Sequence, residues 1–187
     1  MKLREITSGF LYYDESKKPV VFSDAKLNVL KEVLEGIPKE YQVVIWCIFR
    51  KEIKLISEKL KSAVAIYGNT PIKERDRILI DFLNGKYKYL VAHPRTLGHG
   101  VNLTNCSYAI YYSLDWSAEL WSQSQDRIHR IGQKRNCVYI SLLCKDTIDE
   151  IIYARLQKKI KGAMEILEHL KIPIKVKKVK VKEEIMY

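Results

Sequence analysis

No apolar run in the chain approaches the roughly 18 residues of a membrane-spanning helix. The opening decapeptide, MKLREITSGF, also lacks the apolar stretch of a secretory signal. Cysteine is scarce: Cys47, Cys106, Cys137 and Cys144 are the only four, and their spacing matches no metal-binding pattern. Each lies in or beside a strand-like run, where a buried, reduced thiol is the default. The expectation is an intracellular protein of cytoplasm or nucleus, with no membrane partner. His93, His99, His129 and His169 form no ligand pattern, so no metal site is expected. There is no Gly-x-x-x-x-Gly-Lys-Ser/Thr loop to cradle β- and γ-phosphates. Nor is there a strand-borne Asp-Glu pair to bind magnesium or act as a general base.

What is present describes an ordinary globular chain with an unusual charge. The 187 residues are enough for one domain with a full core and short appendages. Apolar residues make up 47% and charged residues 29%, both typical of such domains. The formal net charge is +11, of which the six Lys and two Glu of residues 171–187 supply +4. The excess is therefore not only a tail effect, and it favours a polyanionic partner, nucleic acid first.

Residues 10–22 hold two short apolar runs around a polar turn, fitting either a hairpin or an extended linker. Ser23 or Asp24 can cap a helix carrying Leu27, Leu30 and Leu34 at helical spacing, and Gly36 with Pro38 stops it. The continuous apolar run Val43 to Ile48 suits a strand buried on both faces. A helix with Ile53, Ile56 and Leu60 on one side follows, then a strand from Val64 to Tyr67. Thr70 is placed to cap, and Pro71 to start, the next helix. Further strands are expected at Tyr89–Ala92, Tyr108–Tyr112 and Val138–Leu143. A capping box, Thr147-x-x-Glu150, opens a last long helix. Strands alternating with helices predict an α/β fold, an open and mainly parallel sheet with helices on both faces. Ligands of such sheets sit beyond the carboxyl ends of the strands. Residues 172–182 partly alternate apolar residues with lysine, and read as an edge strand or, preferably, a basic arm along a phosphate backbone.

The most informative stretch is QSQDRIHRIGQ, residues 123–133. Gln123, Arg127 and Arg130 stand at i, i+4 and i+7, a spacing that aligns them on one face of a helix over roughly 10 Å. Two guanidiniums presented together suit a polyanion such as a triphosphate, because each is a planar fork of donors that never loses its charge. Upstream, the loop Thr96-Leu97-Gly98-His99-Gly100-Val101-Asn102-Leu103 has glycines that let backbone amides approach phosphate. The segment Ile66-Tyr67-Gly68-Asn69-Thr70-Pro71 offers a hydroxyl and amides before a helix.

Taken together these segments resemble the Swi/Snf family of superfamily-two DNA-dependent ATPases. The pattern Gln-x-x-x-Arg-x-x-Arg followed by Ile-Gly-Gln is similar to the family's motif VI at every position. The 96–103 loop is similar to motif V, although Leu97 stands where the family usually has glycine. Asp115-Trp116 matches a family pair, although Ser117-Ala118 replaces the usual Asn-Pro. Ala25-Lys26-Leu27 stands at the start of the family's second lobe. The resemblance spans about residues 23 to 160.

It implies a RecA-like lobe over 23–170, preceded by the linker or hairpin 1–22 and followed by the basic tail 171–187. It also implies that this lobe serves an ATP-driven DNA translocase or helicase. Arg127 and Arg130 would be arginine fingers, with Gln123, Gly100 and Asn102 near the nucleotide. Thr70 and Gly68 would contact the DNA backbone. Arg50 and Lys51, at the end of motif IV, are backbone contacts or an ordinary solvated face. ATP and Mg2+ would be held mainly by an N-terminal helicase lobe, in cis or in trans, and the partner would be double-stranded DNA. The alternative is a non-catalytic nucleic-acid-binding or regulatory module with the same fold. Trp116 and Trp121 read as packing residues.

Overall fold

The computed structural model describes residues 1–13, 18–97, 101–169 and 182–186. Its centre is a parallel sheet built from β3 (Gln42–Trp46), β4 (Ala63–Ile66), β5 (Tyr89–Ala92), β6 (Cys106–Tyr111), β7 (Val138–Leu142) and β8 (Lys182–Met186), in the order β4-β5-β3-β6-β7-β8. Each pairing in this sheet is parallel. The apolar run in β3 lies at the middle, and Val43 to Trp46 are wholly buried, as a strand covered on both faces requires.

Alternation along the strands divides the interior in two. Val44, Trp46, Leu90, Ala92, Ala109 and Tyr111 point to one face. There they meet α4 (Ile72–Leu83), α5 (Ala118–Asp126) and α6 (Ile148–His169), through Leu79, Phe82, Trp121, Ile152 and Leu156. Val43, Ile45, Val91, Ile110 and Ile140 point to the other face. That face is covered by α2 (Ala25–Glu35) and α3 (Arg50–Lys59), through Leu27, Leu30, Ile53 and Ile56. Trp121 is core as expected, edge-on to Tyr111 and Tyr153. Trp116 is half-buried, with the Arg155 guanidinium 5.7 Å from its ring centre. Three cysteines are buried and Cys144 partly so, all as free thiols.

The N-terminal segment forms a helix and a hairpin: α1 (Lys2–Thr7), then β1 (Phe10–Tyr12) antiparallel to β2 (Pro19–Val21). The helix lies across the exits of three strands. Arg4 donates to the Leu114 carbonyl beyond β6, Thr7 donates to Asp149 at the start of α6, and Ser8 donates to Glu52 in α3. Gly9 makes the turn into the hairpin with φ +81°, and a Cβ there would collide with the Ser23 carbonyl.

Glu52 is buried and accepts from four donors: Ser8 at 2.5 Å, Ser113 at 2.6 Å, and the backbone N–H groups of Ile48 at 3.1 Å and Phe49 at 3.0 Å. Burial nevertheless outweighs these bonds and raises its pKa above the ordinary carboxylate value. The folded chain thus holds this proton more tightly than the unfolded chain. The group's contribution to stability falls as pH rises from the unfolded carboxylate pKa through the raised folded one. Melting curves across that window should show Glu52→Gln gaining on the wild type as pH rises. A constant difference between the two would contradict this.

The C-terminal strand β8 pairs Lys182 with Val138 and Met186 with Leu142. The tail therefore contributes an edge strand at 182–186, where the preferred arm reading for 172–182 meets it at Lys182. The rest of that stretch lies outside the described residues.

Candidate functional site

The carboxyl ends of β3, β4 and β5 form one rim, where Arg50, Gly68 and the turn after β5 gather. The turn that carries Arg127 and Gln133 is anchored toward the start of β6 and reaches this rim through the Arg127 side chain. The exit of β5 runs through His93 into a tight turn, Pro94–Leu97. Leu97 is buried among Trp121, Ile128 and Leu103, so it fills core volume, and the departure from the family's glycine is a packing residue. Gly98 and Gly100 lie outside the described residues. Asn102 is exposed, and its side chain accepts the Thr104 N–H at 3.0 Å in a local turn.

Helix α5 carries Gln123, capped at its start by the Ser117 hydroxyl accepting from the Leu120 N–H. It ends at Asp126, with Arg127 as its C-cap. The expectation that Gln123, Arg127 and Arg130 share one continuous helix is therefore corrected: Arg130 lies past the end. The cause is visible in the hydrogen bonds. The Arg127 carbonyl accepts the Leu103 N–H at 2.9 Å, and the Ile128 carbonyl accepts from the Gln133 side chain at 3.2 Å, so both are drawn away from the helix. Gly132, at φ +106°, completes the reversal. Gln133 also donates to the Cys106 carbonyl at 2.7 Å, which staples this turn to β6. The sequence signalled this role only as an amide following a glycine.

Arg127 is half-buried, and its Nη2 donates to the Pro94 carbonyl at 3.4 Å. The loop after β5 and the end of α5 thus meet twice, through the Arg127 backbone and through its side chain. Burial lowers the Arg127 pKa from the ordinary arginine value. The group keeps its charge at any physiological pH, and a cation with less water around it attracts an anion more strongly. Arg130, three residues further on, is exposed. The Gln123 amide donates to Glu119 one turn earlier at 2.9 Å.

The β4 exit brings Gly68 against the same loop, since a Cβ there would lie 3.9 Å from Thr96. Thr70 does not cap α4, correcting that expectation. Its hydroxyl accepts the Tyr67 N–H at 2.9 Å, closing the turn, and Pro71 takes the N-cap position, with the first helical residue at Ile72. Arg50 opens α3 and lies over the Tyr67 ring at 5.6 Å, while Lys51 is half-exposed in the same turn. Among the described residues no group of three His, Cys, Asp or Glu side chains converges to hold a metal ion. No described helix is long and apolar enough to cross a membrane.

Residues 25–132 match the model of the helicase conserved C-terminal domain. The human chromatin-remodeling ATPase INO80 is 30% identical over 150 residues, covering 76% of this chain and 10% of that protein. The Arabidopsis thaliana protein CHROMATIN REMODELING 19 is 30% identical over 159 residues, covering 82% of this chain and 21% of that one. The chain thus spans between a tenth and about a fifth of these two curated relatives. A crystal structure of the C-terminal part of the Fun30 ATPase domain superposes with a TM-score of 0.66 at 24% identity, covering 70% of this chain and 44% of that one. That likeness speaks to the fold, a RecA-like α/β lobe. The chain belongs to the helicase conserved C-terminal domain family, as a C-terminal helicase lobe of the Swi/Snf type.

Proposed function

We propose that this chain is the second motor lobe of an ATP-driven translocase on double-stranded DNA, completed by a first lobe in cis or in trans. The observation that carries the reading is the double contact of Arg127 with the connection from β5 to β6, through the Pro94 carbonyl at the β5 exit and the Leu103 N–H before β6. It holds one guanidinium at the rim where an open α/β sheet meets its ligands. Under this reading ATP and Mg2+ are held by the first lobe. The described residues of this lobe offer no carboxylate cluster for the metal.

On closure, Arg127 and Arg130 approach the transferring phosphoryl group. Their fixed charges stabilise the negative charge that grows in the transition state. Gln123, Gly100 and Asn102 border the nucleotide. Arg50, Lys51, Gly68 and Thr70 face the DNA backbone, where neutral donors and cations hold phosphates without reading sequence. Repeated opening and closing moves the pair of lobes along the duplex.

A second reading, a nucleic-acid-binding or regulatory module without catalysis, is favoured by the missing phosphate loop and the +11 charge. Steep salt dependence of DNA binding is expected under both. The isolated chain should hydrolyse ATP negligibly, with or without DNA. Adding or fusing a matching first lobe should give DNA-stimulated turnover under the first reading and none under the second. Appreciable turnover by the pure isolated chain would overturn the assignment of the nucleotide machinery to the other lobe.

A further inference from the structure

Beside the turn that follows β5 the rim contains an open cleft of about 250 Å3, lined by Ile48, Arg50, Ile53, Tyr67, Gly68, Asn69, His93 and Thr96. Its composition differs from that of a phosphate seat. The walls are an aromatic ring and two isoleucines, and Ile53 is buried. The one cation, Arg50, lies over the Tyr67 ring, and among the described residues it makes no ion pair.

His93 adds an uncharged donor. Its Nδ1 accepts the Arg95 N–H at 3.0 Å, and burial and the Arg95 charge lower its pKa. The neutral ring therefore carries its proton on Nε2. Asn69, exposed at the mouth, supplies both a donor and an acceptor. An aromatic wall, an apolar floor, a few edge-reading polar groups and one guanidinium at the lip suit a flat heteroaromatic ring with a phosphate beside it. A bare phosphate would meet mostly apolar surface here, and losing its water without compensation is unfavourable.

We propose that this cleft receives a nucleobase turned out of the duplex stack, with its neighbouring phosphate on Arg50. The inference rests on the reading of this rim as a duplex-binding surface, and adds that one base leaves the stack there. Unstacking is least costly where the base is already unpaired, so the cleft confers a preference for DNA with an extrahelical base. Contact of a base with an aromatic side chain is sequence-tolerant, as a translocase requires.

The test uses the 187-residue chain and two short duplexes. One is fully paired, and the other carries a single unpaired fluorescent adenine analogue. The unpaired duplex should bind about tenfold more tightly, the scale of one base stacked on an aromatic side chain. The analogue's emission should change on binding. Tyr67→Leu should remove most of that preference while leaving paired-duplex affinity within about twofold. Asn69→Ala, an exposed substitution that does not threaten folding, should reduce it. Equal affinity for the two duplexes, or a preference that survives both substitutions, overturns the proposal while leaving paired-duplex binding, and hence the broader reading, intact. Competition by free adenosine monophosphate at comparable concentration would assign the cleft to a mononucleotide and also overturn it. Failure to bind either duplex would remove both readings.

Discussion

Replacing Arg130 by alanine, in a protein that also contains the first lobe, should lower ATP turnover by on the order of 10³–10⁵, with DNA affinity changed only a few-fold. Arg130 is exposed and lies past the end of α5, so its loss removes a charge without opening the core. Arg127→Ala should lower turnover on a similar scale for two reasons. It removes a guanidinium, and it also frees the Pro94 carbonyl that this guanidinium holds. The two variants therefore separate in a thermal melt: Arg127→Ala should melt further below the wild type than Arg130→Ala. Steady-state ATPase assays at saturating DNA, paired with equilibrium DNA binding, check this directly. If Arg130→Ala lost turnover and DNA affinity in equal proportion, the residue would belong to the DNA contact.

The largest effect on stability is expected at Asp149. Its Oδ2 lies 2.7 Å from the Lys26 ammonium, and each side chain of the pair is only 6% exposed. The same carboxylate accepts from the Thr7 hydroxyl at 2.9 Å and from the Cys144 N–H at 3.2 Å. Asp149→Ala leaves an ammonium buried with no counter-charge on that side, a change that costs about 3–5 kcal/mol. For a chain of this size that corresponds to a fall in Tm on the order of 6–20 °C. Adding Lys26→Met should restore much of the loss, since a buried pair replaced by apolar groups of similar volume is often neutral. The check is thermal unfolding of the two single variants and the double. A fall below about 1 kcal/mol for Asp149→Ala, the scale of an exposed pair, would sink the argument.

This network also marks where the sequence stopped being readable. Lys26, Glu5, Glu52 and Asp149 are charged, and in isolation each reads as surface, yet all four are buried. Lys26 and Asp149 pair with each other across most of the chain and Glu52 takes Ser8 and Ser113 from distant segments, and neither periodicity nor spacing carries that information. The same blindness applied to residues 1–22, read as a hairpin or a linker. The hairpin was legible in two apolar runs about a turn. The helix before it, pinned by Arg4, Thr7 and Ser8, was not.

The strands were the most legible part, because a parallel sheet covered on both sides leaves continuous apolar runs. Val43 onward and Tyr89–Ala92 lie close to where those runs placed them. The helix through Arg130 was over-extended because its side-chain spacing persists past the end of α5. What stops the helix is the capture of two carbonyls by Leu103 and Gln133, a tertiary event. Thr70 has the right residue type for a cap, but its hydroxyl serves the preceding turn instead.

The backbone hydrogen bond from the Leu103 N–H to the Arg127 carbonyl has a mechanical corollary. A segment leading into β6 and a segment ending α5 are fastened backbone to backbone, with no flexible side chain between them. On the motor reading both segments border the nucleotide, so a displacement of one draws the trigger arginine with it.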